Sequence, residues 1–230
     1  MSEVLSGAAY FGVTLSLAAY AVGLWLKKKF NRPFVNPLLI SAVLVIGALL
    51  LLKVDYDTYN ESAKYLSYLL TPATVCLAIP LFQQLELLKK HKLAVIGGVA
   101  AGAASSLISV LGLSALFGLT HEQYVSLLPK SVTTAIGMGV SDELGGIVTL
   151  TVAAIILTGV LGAVIGEGVC RLFRIRERVA VGLALGTSAH AIGTSRALEI
   201  GEIEGAMSSL AIAVCGLMTT VAASFFAGMY

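Results

Sequence analysis

An all-helical integral membrane protein is predicted, with about six transmembrane helices and two oppositely oriented re-entrant hairpins that form an inverted-repeat transporter core. Three observations predict it. The 230 residues are 57% hydrophobic and only 12% charged, with a mean hydropathy of +0.92, which is more apolar surface than one soluble core hides. Most Lys and Arg residues collect in three short patches. One small motif is also written twice: Ala135-Ile136-Gly137, five residues, Glu143-Leu144-Gly145, and again Ala191-Ile192-Gly193, five residues, Glu199-Ile200-Gly201. A pair of glycine-interrupted apolar segments in matching positions is a sequence pointer to a transporter binding site.

The first apolar run, Leu5 to Leu26, has no basic segment before it and ends in Lys27-Lys28-Lys29 rather than a small-residue cleavage site, so a retained transmembrane helix is expected. Leu38 to Leu52 and Tyr65 to Phe82 read as two crossings around an acidic external loop, Asp55 to Glu61, with Pro72 and Pro80 kinking the second. Leu93 to Leu119 crosses next. The basic loops 27–32, 83–92 and 171–178 are assigned to the cytoplasm by the positive-inside rule.

Parity then becomes informative. A helix from Ile147 to Phe173 ends at the inside Arg171, Arg174, Arg176 and Arg178 cluster, so it starts outside, and the segment from Tyr124 to Gly146 must dip into the membrane and return. By the same count Val179 to Glu202 enters from the cytoplasm and returns there before the last helix, Gly205 to Met229. The chain therefore divides into an N-terminal scaffold or oligomerisation part, 1–123, and a repeated hairpin-helix transport core, 124–230. Gly137, Gly139, Gly145, Gly146, Gly193 and Gly201 are the expected hairpin breakers.

Charge inside the bilayer is costly and marks candidate chemistry. Lys130, within Pro129-Lys130-Ser131-Val132-Thr133-Thr134, either snorkels to the outer interface or binds an anion. Arg196, within Gly193-Thr194-Ser195-Arg196, either pairs with Glu199 or Asp142 or grips a carboxylate, and the anion reading is preferred. Ser131, Thr133, Thr134, Thr194 and Ser195 supply uncharged donors to that site. Asp142, Glu143 and Glu199 are candidates for proton or ion coupling. His190 is either a packing histidine or a proton carrier at the substrate site. Cys76, Cys170 and Cys215 lie apart in apolar stretches, so neither a disulfide framework nor a metal site is expected, and no cofactor is implied. A net charge of +2 without a basic, aromatic-interleaved surface excludes nucleic acid as a partner.

The stretch Pro129 to Thr134, the Gly145-Gly146 pair and the run Gly182-Leu183-Ala184-Leu185-Gly186-Thr187-Ser188-Ala189-His190-Ala191-Ile192-Gly193-Thr194 resemble the signatures of CidB/LrgB membrane proteins over essentially the whole chain. The resemblance implies a multi-pass protein of the bacterial cytoplasmic membrane. It implies secondary transport of small monocarboxylates of the pyruvate, glycolate, glycerate or lactate type, with proton coupling or exchange. It also implies an alternative role as an antiholin-like, holin-associated regulator of murein hydrolase activity and autolysis, with a CidA/LrgA-type small membrane protein as partner. A homodimer or larger assembly is expected. An intramembrane hydrolase built from Ser188, His190 and Asp142 is a third class, but the chain has no nucleophile elbow and is not expected to be an enzyme.

Overall fold

The computed structural model describes residues 10–30, 37–69, 85–90 and 92–230, together with positions 72, 75, 76, 79 and 82. Every element among them is a helix. The chain divides into two compact units, residues 1–76 and 77–230. The start of the first predicted span and Pro80 lie outside the described residues.

In the first unit, α1 (Phe11–Phe30), α2 (Pro37–Leu52) and α3 (Tyr56–Tyr68) pack through small residues. Gly23 lies against the Pro37 backbone, and Gly12 donates its N–H to Ser62 Oγ at 2.9 Å. Ser16 Oγ and Tyr59 Oη are 2.8 Å apart. The polar stretch 55–61, read from sequence as an external loop, is instead the start of α3. Asp55 caps that helix: its carboxylate accepts from Thr58 N at 2.9 Å and Thr58 Oγ1 at 2.7 Å. The Thr58 hydroxyl, then the backbone N–H, hold the Asp55 carboxyl below its ordinary value.

The second unit contains α4 (Leu85–Lys90), α5 (Lys92–Phe117), α6 (His121–Leu127), α7 (Thr134–Glu143), α8 (Val148–Leu172), α9 (Arg178–Ile200) and α10 (Glu202–Ala227). Among the described residues three helices, α5, α8 and α10, are long and apolar enough to cross a membrane. α5, which the sequence grouped with the N-terminal scaffold, packs on α9 and α10 within this unit. Two apolar clusters fix the directions of the long helices. Val95, Val99, Val179, Leu183, Ala206 and Met207 gather at the end that carries the 171–178 arginines. Leu107, Val110, Tyr124, Val125, Leu128 and Ala223 gather toward the other end. Hence α5 and α10 run parallel, with α8 opposed to both.

Between these helices the chain reverses twice. α6 ends at Leu127, and a Pro129-centred turn leads to α7, which runs back beside α6. At the base, Ser126 and Ser141 share Thr151, whose Oγ1 donates to Ser126 O at 2.9 Å and Ser141 Oγ at 2.7 Å. Nearer the turn, Gly137 faces Pro129 O and the Ile155 side chain. The second reversal lies inside α9, where His190 takes φ 42° and ψ −133° and splits it into a first limb, 178–189, and a second, 191–200. In a continuous helix residues eight apart stand about 12 Å from one another. Here Gly193 presses on Leu185 O and Ala189 Cβ, so the limbs are folded against each other. α10 confirms the directions: the first limb runs parallel to it, Gly182 facing Glu204 and Gly186 facing Ser208, while the second runs antiparallel, Thr194 facing Ser208 and Leu198 facing Gly205.

The repeated motif therefore occupies the second limb of each hairpin. In the second, Gly193 sits tightly against the carbonyl of Leu185, eight residues earlier, whereas in the first Gly137 is tight only against the Ile155 side chain and lies at ordinary contact distance from Pro129 O. These glycines permit close approach and do not break the helix. Gly139 is likewise helical with open space around it, and the reversals fall at 128–133 and at His190. Gly145 does end α7, at φ 73°, a conformation that costs most L residues free energy. Gly201 is extended between α9 and α10, and Gly146 is wedged beside Ser126 and Ser141.

A side chain at Gly193 collides with backbone, whereas one at Gly139 meets nothing. Gly193→Val is expected to destabilise the folded protein by about 1–3 kcal/mol through overpacking, and Gly139→Ala to leave it unchanged or slightly stabilised. Thermal unfolding in detergent checks both; equal melting temperatures for Gly193→Val and the parent contradict the close-packed hairpin.

Candidate functional site

Both tips converge on Ile155, about a third of the way along α8. Gly137, just past the first turn, faces its side chain, and His190 Nε2 donates to its carbonyl at 2.9 Å. A buried imidazole N–H without an acceptor is costly, so this bond ties the strained His190 backbone to α8. The residue is 3% exposed and its ring abuts Gly159. His190 makes packing and turn contacts in this structure.

A cavity of about 910 Å³ lies between α5, the first tip, α8 and the first limb of α9. It extends from Ala94 and Glu177, at the end bearing the 171–178 arginines, to Ser109, Lys130 and Thr158 at mid-bundle. Beyond that depth the Leu107, Val110, Tyr124 and Leu128 cluster fills the bundle. Its polar groups concentrate at the inner end. Lys130 Nζ donates to Ser106 Oγ and Ser131 Oγ, each at 3.0 Å, and those two hydroxyls are 3.1 Å apart. An ammonium has three hydrogens, and among the described residues no carboxylate lies in ion-pairing distance of this one. Opposite it Thr187, only 7% exposed, has no hydrogen-bond partner for its Oγ1. A buried hydroxyl without a partner costs about 1–3 kcal/mol.

Each tip brings one helix C-terminus and one N-terminus to this depth, so the peptide dipoles largely offset. The net positive charge is therefore that of Lys130. Arg196, preferred from sequence as the anion-binding cation, is outside the cavity. Its guanidinium donates to Glu167 at 2.6 Å and Glu199 at 2.7 Å, and Glu167 also holds Arg171. The ion-pair alternative is the one realised, because the second limb runs beside α8 and aims position 196 at Glu167.

The other predicted residues separate in the same way. Lys130 and Ser131 line the cavity, while Thr133 and Thr134 are half-buried at the start of α7. Thr194 is fully buried, with Oγ1 bonded to His190 O at 3.0 Å and Ser208 Oγ at 2.7 Å. Ser195 is exposed and bonds its own helix at Ala191 O. Asp142 and Glu143 are exposed at the end of α7 remote from the tip, and Glu199 is at the base of the other hairpin. Ser188 Oγ donates to Ala184 O and His190 to Ile155 O, so with Asp142 they form no nucleophilic triad. Ser106 and Thr187 were missed. Gly98, Gly102, Ser106 and Ser109 repeat every three or four residues along apolar α5, a polar, small-residue face legible in the sequence.

These features define an all-helical membrane protein with a polar-ended cavity where two interrupted segments meet. The chain belongs to the LrgB-like family, which it matches over residues 16–229. It is 37% identical over 206 residues, 90% of either chain, to the uncharacterized protein YxaC of Bacillus subtilis. It is 39% identical over 219 residues to YwbG of the same organism, also described as uncharacterized, covering 94% of this chain and 97% of the relative. No solved structure matches it.

The Arg196–Glu167 pair is half-buried, at 29% and 28% exposed. Arg196→Gln is expected to cost about 2 kcal/mol of stability by stranding hydrogen bonds to charged groups. A double-mutant cycle with Glu167→Gln, read by thermal unfolding, checks it: strictly additive losses would show that the two side chains do not interact.

Proposed function

We propose that this protein is a secondary transporter of small monocarboxylates in the bacterial cytoplasmic membrane, of the pyruvate, glycolate, glycerate or lactate type. The single observation that carries the reading is Lys130: a cation at a hairpin tip, facing a cavity, held by two serine hydroxyls and free of any carboxylate among the described residues. The chemistry follows from that set. A carboxylate takes the third ammonium hydrogen, and Ser106 and Ser131 orient it.

In this reading the two hairpins are re-entrant and enter from opposite membrane faces, and the basic loops lie in the cytoplasm. Irregular backbone at mid-membrane survives only where protein or a wetted cavity satisfies it, which fits the His190 bond and the cavity beside both tips. The cavity then opens to the cytoplasmic side while the Tyr124 and Leu128 cluster closes the other. Alternating access opens the second barrier as the first closes. A homo-oligomer, a CidA/LrgA-type partner and proton coupling belong to the same proposal.

Lys130→Gln is expected to lower uptake of labelled pyruvate, lactate, glycolate or glycerate into proteoliposomes by about 10- to 100-fold, the worth of a hydrogen bond to a charged group. Arg196→Lys, outside the cavity, should retain most of it. If Lys130→Gln transports like the parent, the site is elsewhere. If the variant instead alters cell lysis only when a partner membrane protein is present, and no carboxylate flux is measurable, the regulator role replaces the transporter.

A further inference from the structure

Glu204 is a buried carboxylate that the proposed substrate site does not use. It lies in the first turn of α10, where both ends of the α9 hairpin arrive. Its backbone meets Gly182 of the first limb, and its side chain folds back over Gly201, which closes the second. The residue is 7% exposed. Oε2 has no hydrogen-bond partner, and Oε1 is 3.9 Å from Nε of Arg178, a side chain 70% exposed.

The other charged residues near this end point elsewhere. Glu202 on the same helix, Lys92 on α5 and Glu177 before α9 are exposed, and Glu199 on the second limb accepts from Arg196. Among the described residues, Arg178 is therefore the charged group in ion-pairing distance of Glu204. Glu167 shows the contrast: both of its oxygens are taken by arginine. A carboxylate out of water with one oxygen bare and one loose partner is poorly compensated, and a proton on it removes the charge.

We infer that Glu204 is a proton-binding site that couples proton uptake to movement of the α9 hairpin. The carboxylate takes one proton from water at the arginine-bearing end and becomes a neutral carboxyl, with no other bond made or broken. Charged, it draws Arg178 inward and clamps the first limb to α10; neutral, it releases Arg178 and the limb. This inference rests on the transport reading for its consequence, but not for the proton site itself.

Two measurements on the full chain in liposomes separate the claims. Infrared spectra recorded as the pH is lowered should show a protonated-carboxyl band that Glu204→Gln removes and Glu204→Asp retains; a band unchanged in Glu204→Gln overturns the proton site. Labelled pyruvate is then followed two ways. Glu204→Gln should keep exchange at equal pH on both sides and lose at least about tenfold of its accumulation driven by a pH gradient, the scale of an ordinary coupling between sites. Undiminished gradient-driven accumulation, or accumulation driven by a sodium gradient alone, overturns the coupling role. Absence of exchange in the parent with the Glu204 band intact leaves the proton site standing and counts against pyruvate transport.

Discussion

A polypeptide that turns back halfway along a helical bundle must satisfy the backbone groups at its turn, and the rest of this structure follows from how that is done. At the second hairpin the turn is a single residue with left-handed φ, held because His190 donates its ring N–H to Ile155 O and receives Thr194 Oγ1 on its own carbonyl. At the first hairpin a longer proline-containing turn makes its own hydrogen bonds, Lys130 N to Leu127 O and Val132 N to Pro129 O. Neither solution works unless the limbs touch. At the second hairpin Gly193 provides the approach, because hydrogen in place of Cβ lets one limb lie on the Leu185 carbonyl of the other, whereas at the first Gly137 makes room for the Ile155 side chain of α8.

The duplicated motif is thus a packing device, and the cavity lies beside it. In the second limbs the motif carboxylates Glu143 and Glu199 fall at the hairpin bases, remote from the meeting point. The residues that face the cavity come from the turn of the first hairpin, Lys130 and Ser131, and the first limb of the second, Thr187 and Ser188. Equivalent frames carry unlike side chains at the tips, so a nearly symmetric scaffold encloses a polar asymmetric pocket. One cation among hydroxyls suits one small anion better than two opposed charges would, since an internal carboxylate would compete for the ammonium.

Two cations in the hairpins were indistinguishable by composition and have opposite fates. Arg196 lies on a limb parallel to the charged end of α8, where Glu167 and Glu199 take its guanidinium as a bidentate donor. Lys130 lies in a turn whose neighbours are serines of α5 and of the turn itself. Which cation stays available for a ligand was decided by what each faced across the fold. Glu204 belongs to the same class: Glu202 and Glu204 are two residues apart in sequence, and only packing against Gly182 and Gly201 buries the latter.

Much of the architecture was legible in the residues. Hydropathy placed α5, α8 and α10 to within a few positions, because a long apolar run in lipid has no alternative to a helix. The motif repeat and the arginine patches located both reversing segments, since each is a local pattern. The start of the helix at 56–68, residues 55–61, was read as loop because its polar residues hid a capped helix start at Asp55. The apolar helices, the family and the position of the interrupted segments could therefore be read before any folding, all being properties of neighbours along the chain. Only the tertiary structure decided that the turns fall at Pro129 and His190, that Arg196 is neutralised while Lys130 is not, and that α5 supplies Ser106. Ion pairing and burial depend on distances across the fold, to which spacing along the chain is blind.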